Sequence, residues 1–460
     1  MSQETQVPTD EILDRGLPER GSLCILGAYV ITVDETLGDI PAGHVHVEDG
    51  VLVAVDDATE CDRPAERLEG RGRVVIPGFI DTHWHLWNVL LRGLVVDNPV
   101  RNYFVVKDKI APKYRPIDSY HATRLSLAEA LRSGFTTVHN WNHNTRSPAD
   151  ADAGFTAHAE VGLRARFSYG HPHEIPDDEV LDLDDLLRAR DQWVEPSDRM
   201  LGIGMVMRAP SRAPKQVYQT EWDFARANGI PMTFHCSGMR TDTRRWADLM
   251  QMDREGLMGP DLQVVHAVHV NDQEIRMLAG TGSHVSVCPV TQIRSMGAAP
   301  PITDLIHQGV VVSLSIDNLA NPTPGDMFLQ MRGTFSIESL RRPGTFVDAR
   351  RMLQLATLDG ARDLGFDDIT GSLTRGKRAD LLVIDTNAVN MVPCPDPVSQ
   401  VVMCAQSSNI EHVIADGRRL VERGAFLHLD EADIIRTART SQQYLLEASD
   451  WHWPRWSVPA

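Results

Sequence analysis

Between residues 78 and 318 short apolar runs recur, each followed by a longer stretch with helical spacing, and this alternation limits the possible folds more than any other feature. The runs are FIDTHWH, TTVHNWN near 136–142, RARFSYGHPH near 164–173, LGIGMVMRAP near 201–210, PMTFHCSG near 231–238, LQVVHAVHV near 262–270, HVSVCPVT near 284–291 and VVSLSIDN near 311–318. Between them lie segments such as SYHATRLSLAEALRSG, QTEWDFARANG, NDQEIRMLAGTG and ITDLIHQG, each closing on Gly as helix C-termini do. Parallel strands need crossovers of this kind. Eight such units predict an α/β fold, a (β/α)8 TIM barrel over 78–375, with its active site at the C-terminal ends of the strands.

Both flanks of that region read differently. SLCILGAYVITVD, HVHVEDGVLVAVDD and RVVIP precede it, and RADLLVIDTN, VSQVVMCAQ and NIEHVIADGRRLVERG follow residue 376. All carry the alternation and turn residues of short strands. The simplest arrangement pairs the two ends in one composite β-sandwich, residues 1–77 and 376–430, interrupted by the barrel. The tail, 431–460, begins helical and ends aromatic and Pro-rich; it packs onto the body or across a subunit interface.

Chemistry concentrates on VVIPGFIDTHWHLW, residues 74–87. Side chains alternate faces along a strand, so His83 and His85 point the same way and can close on one metal ion. His44 and His46 show the same spacing but no accompanying context. The later runs add His235, His266 and Asp317, each at a strand end on the catalytic face. Imidazole and carboxylate donors suit one divalent metal, Zn2+ or Fe2+, with a position left open for water.

A formal charge of −18 over 460 residues argues against nucleic acid or an anionic membrane as partner. The leader MSQETQVPTDEILDRG lacks a signal pattern, and no apolar run approaches the length of a membrane span. The six cysteines are scattered without C-x-x-C pairs, which fits reduced, buried thiols. A cytoplasmic protein acting on a small molecule is expected.

With those motifs assembled, the chain resembles the amidohydrolase superfamily, in particular the mononuclear-metal branch of triazine hydrolases, guanine deaminases and S-adenosylhomocysteine deaminases. PGFIDTHWH, LLRG, LAEALRSGFTTV, FHCSG, VVHAVHVNDQEI, VSVCPVTQIRSMGAAPPITDLIHQGVVVSLSIDN, PGDMF and GSLTRGKRADLLVID carry the likeness in order along nearly the whole chain. The resemblance implies His83, His85, His235 and Asp317 as metal ligands. It further implies Asp317 as a proton shuttle, His266 as the group that polarises substrate or positions water, and a homodimer. The expected activity is hydrolysis of a C–N or C–halogen bond of a small planar nitrogen heterocycle. One departure stands out: where deaminases of this branch carry a glutamate three residues after the strand-five histidine, this chain has Gly238. Glu174 and His269 are candidate replacements. The departure also keeps open a metal-dependent lyase or decarboxylase, and a relative that binds without catalysis.

Around this centre Trp87 is expected to stack on a planar ring and Trp84 to pack beneath the loop. Arg208 either holds a substrate carboxylate or carbonyl or forms a buried ion pair. His143 and His173 are expected to line the pocket, among the dense set His139, Asn140, His143, His171 and His173. Asn318 either orients substrate or caps backbone. Cys236 and Cys288 are read as small buried residues near the site.

Overall fold

The protein, seen in a computed structural model, is described over residues 6–61, 65–95, 102–236, 245–321, 323–343 and 348–451. Five strands open the chain: β1 (Leu23–Ile31), β2 (Asp39–Glu48), β3 (Val51–Asp56), β4 (Glu66–Glu69) and β5 (Arg73–Pro77). Eight follow with helices between them: β6 (Phe79–Trp84), β7 (Phe135–Asn142), β8 (Arg164–Tyr169), β9 (Leu201–Val206), β10 (Met232–Cys236), β11 (Leu262–His266), β12 (His284–Val287) and β13 (Val312–Leu314). Four short ones end the sequence: β14 (Leu381–Asp385), β15 (Ile410–Ala415), β16 (Arg418–Glu422) and β17 (Ala425–Phe426).

Strands β6 to β13 pair in chain order, each parallel to the next, as the eight βα units require. Backbone contacts between the ends of the run close the ring. The Asp317 N–H donates to the His83 carbonyl at 2.9 Å, and the His85 N–H donates to the Asp317 carbonyl at 2.7 Å. Beneath them the buried Asp81 carboxylate accepts from the His83 N–H at 2.9 Å and the Ile316 N–H at 2.7 Å. First and last strands are therefore joined around the residues expected to hold the metal. Burial pushes the Asp81 carboxyl well above the usual range despite these two donors.

Below this closure the barrel interior carries a hydrogen-bonded polar network. The Thr82 hydroxyl lies 2.8 Å from both Ser286 Oγ and Ser313 Oγ, and the Thr82 carbonyl accepts from Gln263 Nε2 and His139 Nδ1. Each of these groups would cost free energy if buried alone, and together they form one network.

The remaining nine strands make one sheet, with β14 running antiparallel to β5 so that Asp385 faces Arg73 and Leu381 faces Pro77. Both chain ends thus build the composite β-domain. One of its faces buries Ile25, Val45, Val47, Leu52, Val75, Leu381 and Val383, the alternation that made these strands readable. The polar β4 had no such signal; it is held by parallel pairing to β1.

The segment VSQVVMCAQ is not a strand but part of the helix Pro397–Cys404. Asp396 caps it by accepting from the Ser399 N–H, Pro397 starts it, and Val398, Val401, Val402 and Ala405 bury at helical rather than alternate spacing. The tail helix Glu431–Ala448 takes the first of its two expected positions, on the body. Ile434, Ala438, Ser441 and Leu445 form its buried stripe, Asp433 pairs with Arg124 at 2.7 Å, and Ser441 Oγ lies 2.9 Å from His121 Nδ1. The aromatic end of the tail lies outside the described residues.

Candidate active site

Period-two alternation sends His83 on β6, and His85 just after it, into the barrel mouth, where His235 on β10 and Asp317 after β13 meet them. His83 Nε2 lies 3.2 Å from His235 Nε2 and 3.4 Å from Asp317 Oδ1, and His85 Nε2 lies 3.5 Å from the same oxygen. Donors held 2.0–2.1 Å from a tetrahedral metal stand about 3.3 Å apart, so these separations are the edges of a metal polyhedron. His266 also joins His83 and Asp317 in a grouping whose donor atoms all lie within 4.8 Å of one another.

The imidazoles are prepared to act as lone-pair donors. His85 Nδ1 donates to the Trp141 carbonyl at 3.0 Å, which leaves Nε2 bare toward Asp317. Burial, reinforced by neighbouring histidines, pushes His83 and His235 well below the ordinary imidazole range. His85 falls to about 4 through burial, although Asp317 opposes the shift. At neutral pH all three are uncharged, the form that binds a cation. The donor set therefore fits a divalent metal.

His266 is wired differently. Its Nδ1 lies 3.3 Å from Cys288 Sγ, and burial holds that thiol well above its usual range. The thiol keeps its proton; a hydrogen bond from it to Nδ1 would place the imidazole hydrogen on Nε2 and make that atom a donor. Both His266 (φ 78°) and Asp317 (φ 73°) adopt left-handed backbone conformations, rare for residues with a side chain and concentrated at working sites.

Trp87, Lys107, His143, Asn144, His173 and Glu174 line a narrow cleft beside this centre. The His143 ring stands 4.4 Å from His85 and 5.2 Å from both Trp87 and His173, so three of the expected pocket residues do converge. Trp84 faces the other way, edge-on to Phe135 and against Gly325. Along β7 the alternation separates His139 and Trp141, inside, from Asn140, whose amide meets His158 on a packed helix. His139 is spent between Thr82 and Ser168, below the site.

Arg208 corrects one expectation. Its guanidinium pairs with Glu221 at 2.6 Å, both side chains buried, and donates to the carbonyls of Pro176, Asp177 and Glu179. Both terminal nitrogens are thereby engaged in tying the Pro176–Glu179 loop to Glu221, the ion-pair alternative. Asn318 likewise uses Oδ1 to accept from the Asn321 N–H at 2.9 Å, the capping alternative. Glu174 is paired with Arg146 at 2.8 Å on the rim, His171 lies against the Pro172 carbonyl, and His269 sits half-buried on the turn after β11. Gly238 lies outside the described residues.

Two neighbours of the site were not singled out in the sequence. Trp141 packs its ring 4.1 Å from His235 and donates Nε1–H to Thr233 Oγ1 at 3.0 Å. Its place between His139 on β7 and His143 just after that strand is the signal that could have found it. Lys107, almost wholly buried with its amine 2.9 Å from Asp108, came from a helix with no motif. A separate hollow lined by Leu17, Leu163, Met200 and Arg418 lies at the opposite ends of β8 and β9, the stability face of such barrels.

The model of the Amidohydrolase family matches residues 74–420, three quarters of the chain and all of the site. The chain belongs to the amidohydrolase family. This amidohydrolase is 27% identical over 443 residues to the 5'-deoxyadenosine deaminase of Methanosarcina mazei, covering 92% of this chain and 98% of that one. It is 28% identical over 439 residues to the 5-methylthioadenosine/S-adenosylhomocysteine deaminase of Haloarcula marismortui, with 92% and 98% covered. Among solved structures, an adenosine deaminase from Xanthomonas campestris with bound zinc superposes with a TM-score of 0.82 at 24% identity, over 94% of this chain and all of that one. Atrazine chlorohydrolase from Arthrobacter aurescens complexed with zinc gives 0.81 at 20% identity, over 91% of this chain and 100% of its own. Barrel and composite sheet are therefore the family's fold, and the protein is a hydrolase whose histidines and aspartate suit a divalent metal. Among the described residues no helix is long and apolar enough to cross a membrane.

Proposed function

We propose that this amidohydrolase is a zinc-dependent aminohydrolase that replaces the exocyclic amine of a planar nitrogen heterocycle, an aminopurine nucleoside as first choice, with oxygen from water. The observation that carries the reading is the convergence of three neutral imidazoles and one carboxylate at 3.2–3.5 Å. Relatives named as deaminases, aligned over more than nine tenths of both chains, support the substrate class.

When bound by His83, His85, His235 and Asp317, a divalent metal supplies Lewis acidity and brings the pKa of coordinated water toward neutrality. The remaining chemistry belongs to the chain. Asp317 takes the proton released by the attacking water and returns it to the departing amine. His266, its Nδ1 occupied by the Cys288 thiol, presents Nε2–H to the charge that develops on the ring. Trp87, His143 and His173 offer flat surfaces along which a planar substrate slides to the centre, and Lys107 lines the same cleft.

Gly238 favours one second reading: without a glutamate at that position the ring nitrogen lacks its usual proton donor, and a leaving group that needs no ring protonation, such as halide, becomes the competitor. The reading also includes a cytoplasmic homodimer, a state that sedimentation velocity measures directly. The deciding experiment is metal content of the purified protein combined with an ammonia-release screen over aminopurines, pyrimidines, pterins and triazines. About one zinc in the barrel with ammonia from a purine is expected. Metal without ammonia from any ring, but with halide release, would transfer the enzyme to the second reading, and a barrel that takes no metal would end both.

A further inference from the structure

Strands β1 and β2 carry an apolar face, yet their other face buries a thiol and an imidazole. Cys24 on β1 pairs across the ladder with His46, which places His44, two residues along β2, on the same side. Cys61, in the connection after β3, covers that face. All three are buried, and Cys24 Sγ lies 3.1 Å from His44 Nε2. The donor atoms of Cys24, His44 and Cys61 all stand within 4.8 Å of one another. A sheet face that needed only packing would carry Val or Leu here.

The histidine is also oriented. His44 Nδ1 lies 3.2 Å from Asp56 Oδ1, its direct cross-strand partner on β3. Donation to that carboxylate fixes the hydrogen on Nδ1 and leaves Nε2 as a lone pair aimed at the two thiols. Carboxylate, imidazole and metal in line is the arrangement that orients histidine ligands in zinc sites.

We infer that Cys24, His44 and Cys61 form a second metal site, in the composite sheet, for a thiophilic divalent cation of the Zn2+ class. Two thiolates and one imidazole select zinc over hard cations, with the fourth corner left to solvent. In a tetrahedral zinc site sulfur and nitrogen donors stand about 3.6 Å apart, so the thiol and imidazole open by about half an ångström as the ion enters. Each thiol releases its proton on binding, two protons per ion, and the released charge is balanced by the dication. Because both thiols must lose a proton to ligate, uptake strengthens as pH rises. The ion staples the β3–β4 connection to β1 and β2.

The test uses the full-length protein stripped of metal and reloaded with Co2+, which reports sulfur ligation through a thiolate-to-cobalt charge-transfer band in the near ultraviolet. The barrel ligands are nitrogen and oxygen only, so the band is expected from this site alone. It should vanish in Cys24→Ser and in Cys61→Ser and persist in Cys236→Ser and Cys288→Ser, while zinc content falls from about two to about one per chain. The wild-type spectrum decides the matter even where a variant fails to fold. No sulfur band and one zinc per chain would overturn the site, as would a band that follows Cys288. So would recovery of Cys24 and Cys61 as a linked pair in peptide mass spectra of protein purified without reductant.

Discussion

Replacing Arg208 by Leu separates two roles that the sequence leaves open. The guanidinium and the Glu221 carboxylate are both buried, 2.6 Å apart, and Glu221 Oε1 also accepts from the Leu181 N–H. Removing the cation leaves a carboxylate in the interior with no counter-charge, and breaking one partner of such a pair costs about 3–5 kcal/mol. With a denaturant slope of about 3 kcal/mol per M, the urea midpoint falls by about 1 to 1.7 M. Glu221→Met should cost as much, whereas the double variant Arg208→Leu, Glu221→Met should recover more than half of the loss, because no charge remains to be buried. The assay is urea unfolding of all four proteins by tryptophan fluorescence, with KM measured on the folded enzymes. KM should stay within about twofold, since a side chain spent on a loop makes no uniform contribution to substrate binding. A stable Arg208→Leu enzyme whose KM rises by about 100-fold would refute the argument and return this residue to the substrate.

Asp317→Asn should lower turnover by about 10²–10⁴ with little change in far-ultraviolet circular dichroism, because it removes the proton carrier; near-native turnover would contradict its role. Acid should destabilise the protein before carboxylates titrate. Burial holds His121 near 4 and His158 near 3 in the folded state, so between about pH 6.5 and 4 the unfolded chain binds more protons and stability falls as pH falls. His121→Gln and His158→Gln should flatten that slope in thermal melts across the window, and unchanged slopes would show these imidazoles to be charged when folded. Gly417→Ala should destabilise markedly, because a Cβ there would stand 2.2 Å from the Gly50 Cα with φ at 74°; a melting temperature equal to wild type would mean the two turns can part.

The barrel was legible because eight apolar runs alternate with helical stretches that end on glycine, the pattern of a parallel sheet built from βα units. The proposed metal ligands were legible for a narrower reason: His83, His85, His235 and Asp317 all sit at or near the ends of barrel strands. What the sequence hid was mostly the choice between equivalent partners. Arg208 had a satisfying buried acid 13 residues away, and no local pattern distinguishes that acid from a substrate. VSQVVMCAQ misled because its three β-branched valines are too few to separate a strand from a capped helix. His44 and His46 looked idle because the two cysteines that face them come from another strand and a loop, 20 residues before His44 and 17 after it.

The closure of the ring by Asp81 and Asp317 also sets an order of events during synthesis. Metal donors come from the first, fifth and eighth strands of the barrel, and the carboxylate arrives last, more than 230 residues after the first histidine. A nascent chain that has made only its first seven barrel strands owns three imidazoles, but β6 is paired with β7 alone and the ring is open. Loop closure over that distance has to be achieved before any contact rewards it. In the proposed site, cation capture would therefore report completed topology, because the Asp317 donor takes its place only where the last strand meets the first.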